Sequence, residues 1–337
     1  MTWHCSLVLG AYKLGDEMTL TLKVIGLFGM FLSVITVHAA GYPEHPIKLI
    51  VPYAPGSTPD TYSRWISQPL SAALGQPIVV ENRPGAGGAI GTDAVAKSKP
   101  DGYTLLLAAI APMSILPSVS KSLQYKQLDL QPVSLLQVNP FLVVVPASLP
   151  VTDLASLITY AKANPNKLNF GSPGLGSLGH LSIELFNTSV GTSMVHIPLR
   201  SGAALELLAG RIQLLFSNLH DVLPHVRSGK LRALAVTSKE RLRELPDLPT
   251  VSESGLPGFE VLAWNGIAVA AGTPKDIVTQ LNSEIEKILR APEIATNMRG
   301  VGATPAPKMS PDDFAAYIAS ESLKWRNLAS KINLKIE

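Results

Sequence analysis

From residue 46 onward, short apolar runs rich in β-branched residues alternate with segments of helical character, the arrangement of βαβ units around a largely parallel sheet. The pattern predicts strands over 47–51, 78–81 and 103–108, with an amphipathic helix over 59–74 and a short helix around 89–97 between them. It then predicts strands at 141–145, 168–171, 194–197, 212–216 and 231–237, and helices at 152–163 (capped by Thr152), 178–189 and 203–209. Residues 241–257 carry several prolines and read as an irregular connection, followed by an apolar, largely strand-like stretch over 259–271. Helices then start at Thr273 and Ser310, each followed three positions later by an aspartate, Asp276 and Asp313, which is a capping-box variant.

The β-rich passages 141–145 and 264–271 are natural places for the chain to cross between two domains and back. A chain of 337 residues suits two cores. The expected organisation is α/β, with one domain built from 42–142 plus 265–337 and a second from 143–264. A cleft between the two parallel-sheet edges is where a ligand is expected.

Two loops stand out. In 49–64 a strand leads through Ala54, Pro55, Gly56, Ser57 and Thr58 into a helix, with Thr58 as the expected N-cap, Pro59 in the first turn and Asp60 favouring the helix dipole. Such a helix start suits an anion, although every βα connection has something of this character. Gly174-Leu175-Gly176-Ser177-Leu178-Gly179 is a literal GxGxxG between a predicted strand and a predicted helix. The acidic residue expected about twenty positions on is missing and Arg200 stands near there, so an NADP-dependent oxidoreductase is one reading. A flexible loop feeding a helix start is the other.

Composition narrows the classes. The chain is 46% hydrophobic and 16% charged, with a formal charge of +3 that is not gathered into basic runs, so disorder and nucleic-acid binding are poor readings. Residues 24–37 form an apolar run after Lys23 and before His38-Ala39-Ala40, as in a secretory signal peptide, and the run is short for a membrane span. Residues 1–39 are therefore expected to be removed, with translation expected to start at Met18, since a polar preface carrying Asp16 and Glu17 is unusual. Cleavage takes away two basic and two acidic residues and leaves the net charge unchanged. It also removes Cys5, the single cysteine, so the mature chain would have neither disulfide nor thiolate.

Chemistry is sparse. Ser172 and Ser177 lie in a nucleophile-like loop but not in GxSxG, and His180 is the one base beside them. His45, His180, His196, His220 and His225 show no metal-ligand spacing, so neither a metal nor a cofactor is expected. The loops at the predicted sheet edge offer backbone N–H groups and hydroxyls, with little acid–base capacity.

Several words in this order carry a family likeness: Tyr42-Pro43, Pro46-Ile47-Lys48-Leu49-Ile50-Val51-Pro52, Pro55-Gly56 with Asp60 and Arg64, and Val80-Glu81-Asn82-Arg83-Pro84-Gly85-Ala86-Gly87-Gly88. Pro100-Asp101-Gly102-Tyr103-Thr104-Leu105, Gly229-Lys230-Leu231-Arg232-Ala233-Leu234-Ala235-Val236, Pro249-Thr250-Val251 and Gly272-Thr273-Pro274 continue it. Over essentially its whole mature length the chain resembles the Bug (TctC-like) extracytoplasmic solute receptors of tripartite tricarboxylate transporters. The resemblance implies a two-lobed, periplasmic-binding-protein-like (type II) fold that closes around a small carboxylate, works with membrane permease subunits or a sensor, is monomeric, and makes and breaks no bonds. It points to Ala54–Thr58, Ala109 and Ile110 with the loop that follows, Ser172 to His180 including Gly176 and Ser177, Arg200, and Ser217-Asn218 as the ligand-binding residues.

Three departures from the family pattern fall near this expected site. Ser57 stands where a second glycine is common. Leu199, Arg200 and Ser201 replace a tyrosine, a basic residue and glycine in a segment about two residues short, and Ser217 stands where an acid is frequent. They imply a ligand other than the usual dicarboxylates. A secreted enzyme on the same architecture is the remaining alternative.

Overall fold

The computed structural model describes residues 41–199, 202–300 and 303–336. The expected signal peptide, Met18, Cys5 and Arg200 lie outside the described residues. Residues 45–337 form one unit, described below.

The first parallel sheet follows the predicted pattern. β1 (Ile47–Val51) lies between β2 (Ile78–Asn82) and β3 (Thr104–Ala109), with parallel registers that pair Leu49 with Val80 and Leu49 with Leu105. Helix α1 (Thr58–Leu74) joins β1 to β2 and α2 (Ala89–Ala96) joins β2 to β3. After β3 the chain makes a π-type turn (Ala111–Ile115) and a single helical turn, α3 (Leu116–Val119).

The strand expected at 141–145 is the second half of a much longer one, β4 (Leu130–Pro146), 17 residues long and almost wholly buried. Pro132 and Pro140 obscure it in the sequence, because proline is poorly tolerated within a ladder. In the structure β-bulges between Pro132 and Ser134 and between Leu135 and Gln137 absorb the irregularity. The first half of β4 runs antiparallel to β9 (Leu262–Ala270), which in turn pairs antiparallel with β3.

The second half of β4 enters the other lobe. There it pairs antiparallel with β7 (Leu214–Asn218) and β8 (Leu231–Val236), while β5 (Asn169–Ser172) lies parallel between β6 (Val195–Pro198) and β7. Helices α4 (Leu154–Ala163), α5 (Leu178–Val190), α6 (Ala203–Leu208) and α7 (Leu219–Arg227) connect these strands. The chain returns through β9 to α8 (Lys275–Leu289), α9 (Pro292–Gly300), a short β10 (Thr304–Pro305) against β4, and α10 (Pro311–Lys331).

Helix starts sharpen the sequence reading. Ser57, not Thr58, caps α1, and Asp153, not Thr152, caps α4. Ser310 forms the expected capping box with Asp313. Thr273 instead turns its hydroxyl to the Ala270 carbonyl at 2.8 Å, leaving α8 without a side-chain cap. Helix α7, with Pro224 inside it, has no clear signal in the sequence.

Each lobe was expected to hold its own core. One cluster of buried apolar side chains instead runs from Ile50 and Leu106 through Phe141, Phe170 and Leu181 to Phe314 and Trp325. The physical reason is β4 itself, whose inward side chains continue from one sheet into the next without a break. A smaller cluster around Leu142, Val144, Leu207, Leu215 and Val236 packs α6 and α7 onto the opposite face of the second sheet.

Candidate functional site

The carboxyl ends of β1 and β5 carry the two loops singled out from the sequence, and each ends in a serine-capped helix. At α1, Ser57 Oγ accepts the Asp60 N–H at 3.4 Å. Asp60 does more than favour the helix dipole. Its buried carboxylate accepts the Gly56 N–H at 2.9 Å, Arg64 Nε at 3.0 Å and Asn82 Nδ2 at 2.9 Å, while the same Asn82 amide also donates to the Tyr53 carbonyl at 3.0 Å. Burial pushes the Asp60 carboxyl up, but the hydrogen bonds from Arg64, Gly56 and Asn82 together outweigh it and hold its pKa below the ordinary carboxylate value. The first loop is thus latched from behind, and its Gly56 and Ser57 N–H groups are spent internally, the latter on the Ala54 carbonyl at 3.2 Å. Thr58, at the first helical position, keeps an N–H with no partner among the described residues.

At α5, Ser177 Oγ accepts the His180 N–H at 3.3 Å and donates to the Gly174 carbonyl at 2.7 Å. The Gly176 N–H donates to His180 Nδ1 at 3.2 Å, which places the ring proton of neutral His180 on Nε2. The rings of His180 and His196 lie 4.1 Å apart, and Phe170 stacks on His196 at 5.0 Å. His196 Nε2 is 2.6 Å from Ser172 Oγ, and that oxygen also accepts the Gly174 N–H at 3.1 Å. Burial, with the neighbouring His196 adding to it, lowers the His180 pKa to about 4, and burial lowers that of His196. Both rings are therefore neutral at pH 7 and serve as props beneath the loop. The N–H groups of Leu178 and Gly179, the first two helical positions, have no partner among the described residues.

The glycines of the GxGxxG segment have local duties. A Cβ on Gly176, whose φ is +73°, would come within 2.0 Å of Ile336 Cδ1, so the C-terminal tail packs directly on this loop. A Cβ on Gly179 would meet Pro173 Cδ at 3.2 Å. Close packing within the chain accounts for both, without a pyrophosphate.

Two cavities flank the second loop. The smaller, about 310 Å³, is walled by Pro173, Gly179, Leu199, Ser217, Asn218 and Asp221, among others. Burial raises the Asp221 carboxyl, but the hydrogen bond and charge of His220, whose Nε2 lies 3.2 Å from Asp221 Oδ1, bring its pKa below the ordinary value. The larger, about 700 Å³, lies between Tyr53, Gly87 and Ile90 of the first lobe and the residues from Pro173 to Leu178 of the second, with Ile336 beside Gly176.

Of the residues expected from the sequence, Gly176 and Ser177 line the larger cavity, and Ser217 and Asn218 line the smaller. Ser172 and His180 are buried behind the second loop. Ala54, Pro55 and Gly56 are exposed, Ser57 and Thr58 half-buried, and Ala109 and Ile110 buried, and none of these seven lines either cavity. The sequence reading missed Asp221 and the latching role of Asp60 and Asn82. Asn82 stands within the segment 80–88 that carries the family likeness, but its partners Asp60 and Tyr53 are far away along the chain.

A family model described as "Tripartite tricarboxylate transporter family receptor" matches residues 62–334. Protein BugT of Bordetella pertussis (strain Tohama I) is 38% identical over 326 residues, covering 95% of this chain and 100% of BugT. Among solved structures, R. palustris Rpa4515 with adipate is 35% identical at a TM-score of 0.76, covering 87% of this chain and 99% of that one. MatC (Rpa3494) from Rhodopseudomonas palustris with bound malate is 31% identical at a TM-score of 0.72, covering 85% and 99%.

Proposed function

This chain belongs to the tripartite tricarboxylate transporter receptor family, and from that membership we propose that it captures a small carboxylate in the periplasm and presents it to membrane subunits of such a transporter. The observation that carries the reading is the pair of serine-capped helix starts. Thr58 at α1, and Leu178 and Gly179 at α5, retain first-turn N–H groups without partners among the described residues, on loops held rigid from behind. Hydrogen-bond donors arranged this way hold an anion without needing an opposing cation. The adipate and malate in the two solved relatives agree in chemical class.

The lobes are 42–142 with 265–337, and 143–264. A ligand that touches both favours the closed arrangement by its differential affinity for it. The receptor carries out no bond chemistry: the two histidines at the second loop serve as neutral props, Asp60 and Asp221 are tied into hydrogen bonds, and Asp93 is paired with Lys97. Ser217 and Asn218 complete the ligand shell. The segment 1–39 is an export signal removed from the mature monomer.

The test is mass spectrometry of the ligand released from purified mature protein, with a thermal-shift screen of carboxylates and nicotinamide nucleotides. One acid that raises the melting temperature without turnover is the expected result. Stabilisation by a nicotinamide, or conversion of the acid, would replace the receptor with an enzyme.

A further inference from the structure

We propose that the larger cavity is a subsite for an uncharged apolar group of the ligand, so that this receptor prefers a monocarboxylate carrying an aromatic or branched aliphatic body to a short di- or tricarboxylate. This rests on the receptor reading above and narrows its substrate class.

The geometry joins the two cavities at one place. Pro173 lines both, and Leu178 on the wall of the larger is followed directly by Gly179 on the wall of the smaller. A carboxylate held by the N–H groups of these two residues therefore has a cavity on either side. The two are chemically unlike. The smaller offers Ser217, Asn218 and Asp221. At about 700 Å³ the larger exceeds the needs of a four- or six-carbon acid, and its walls are mostly carbon.

Two walls are informative. Ile90 and Leu175, one from each lobe, are 55% and 56% exposed, although apolar side chains of this size gain by burial. An apolar ligand group between them would cover both. The electrostatics point the same way. None of the described residues lining the cavity is Lys, Arg or His, and its one carboxylate, Asp93, is already paired with Lys97 at 2.8 Å. A second ligand carboxylate placed here would find no cation among the described lining residues to pair with, which disfavours it. The hydroxyl and amide groups on its wall, Ser120, Ser122 and Gln124, are neutral.

Calorimetric titration of the mature chain with 4-phenylbutanoate, adipate and malate tests this. We expect 4-phenylbutanoate to bind at least tenfold more tightly than malate. The exposed Ile90 can be changed without opening the core, and Ile90→Gln should weaken 4-phenylbutanoate at least threefold while leaving the affinity for any bound dicarboxylate within twofold. Malate or adipate binding as tightly as 4-phenylbutanoate, or no effect of Ile90→Gln on 4-phenylbutanoate, would overturn the subsite and leave the receptor standing. If none of the three binds and no acid is released from the purified protein, both readings fall.

Discussion

Phe141 and Thr237 are bonded in both directions: the Phe141 N–H donates to Thr237 Oγ1 at 2.8 Å, and the Thr237 N–H donates to the Phe141 carbonyl at 2.9 Å. The same hydroxyl donates to the Val261 carbonyl at 2.6 Å, and the Val261 N–H returns a bond to the Thr237 carbonyl at 3.0 Å. Phe141 lies where β4 passes between lobes and Val261 just before β9 begins, so one fully buried threonine ties the outgoing and returning strands together. Thr237→Val keeps the shape and strands two buried backbone groups. It should cost about 1–3 kcal/mol in urea unfolding, with Thr237→Ser recovering most of it; an unchanged midpoint would refute the tie.

Asp60 holds the first loop through Gly56, Arg64 and Asn82. Its folded pKa is depressed, so the stability it contributes is complete above its ordinary value of 3.8 and is lost as the pH falls through the lower folded value. Asp60→Asn should lower stability at neutral pH by about 1–3 kcal/mol, flatten the acid limb below pH 4 and weaken ligand binding. A variant that keeps both the wild-type acid limb and the wild-type affinity would show that the latch is idle.

The two histidines impose the same sign at higher pH. His180 titrates at about 4 when folded, against 6.5 when unfolded, so the unfolded state binds the extra proton between these values. Stability should fall by roughly 3 kcal/mol as the pH drops from 6.5 to 4. Protonation would also turn Nδ1 into a donor facing the Gly176 N–H, now 3.2 Å away, and release the loop. Melting temperatures recorded across this window should drop for the wild type and drop less for His180→Phe. Parallel curves would remove His180 from the account.

Gly176 combines a positive φ with the contact to Ile336. Gly176→Ala should cost about 1–2 kcal/mol from the left-handed backbone alone, plus whatever is needed to displace the tail. Adding Ile336→Ala should restore only the second part. A double-mutant cycle with no coupling would mean that the tail yields freely.

The sequence by itself determined much of this molecule. Alternation of β-branched runs with amphipathic helices is a local property, so β1, α1, β2, β3, α5 and the last helix are legible from spacing. The proline- and glycine-bearing loop after the first strand, with Thr58 as the expected cap, and the literal GxGxxG at 174–179 are also local signals, which is why both candidate loops could be found. The tertiary structure decided which groups in those loops remain available. Gly56 gives its N–H to Asp60, and Asn82 reaches Asp60 across 22 positions; His196 reaches Ser172 across 24. Such pairings follow from how the strands are ordered and have no signature in local spacing. The same holds for β4, whose prolines break the sequence pattern but whose bulges keep it paired with β9, and whose continuity carries one buried cluster from the first sheet into the second. Ser57 illustrates the division: as a departure from the family pattern it was visible at once, and only the folded chain made it the cap of α1.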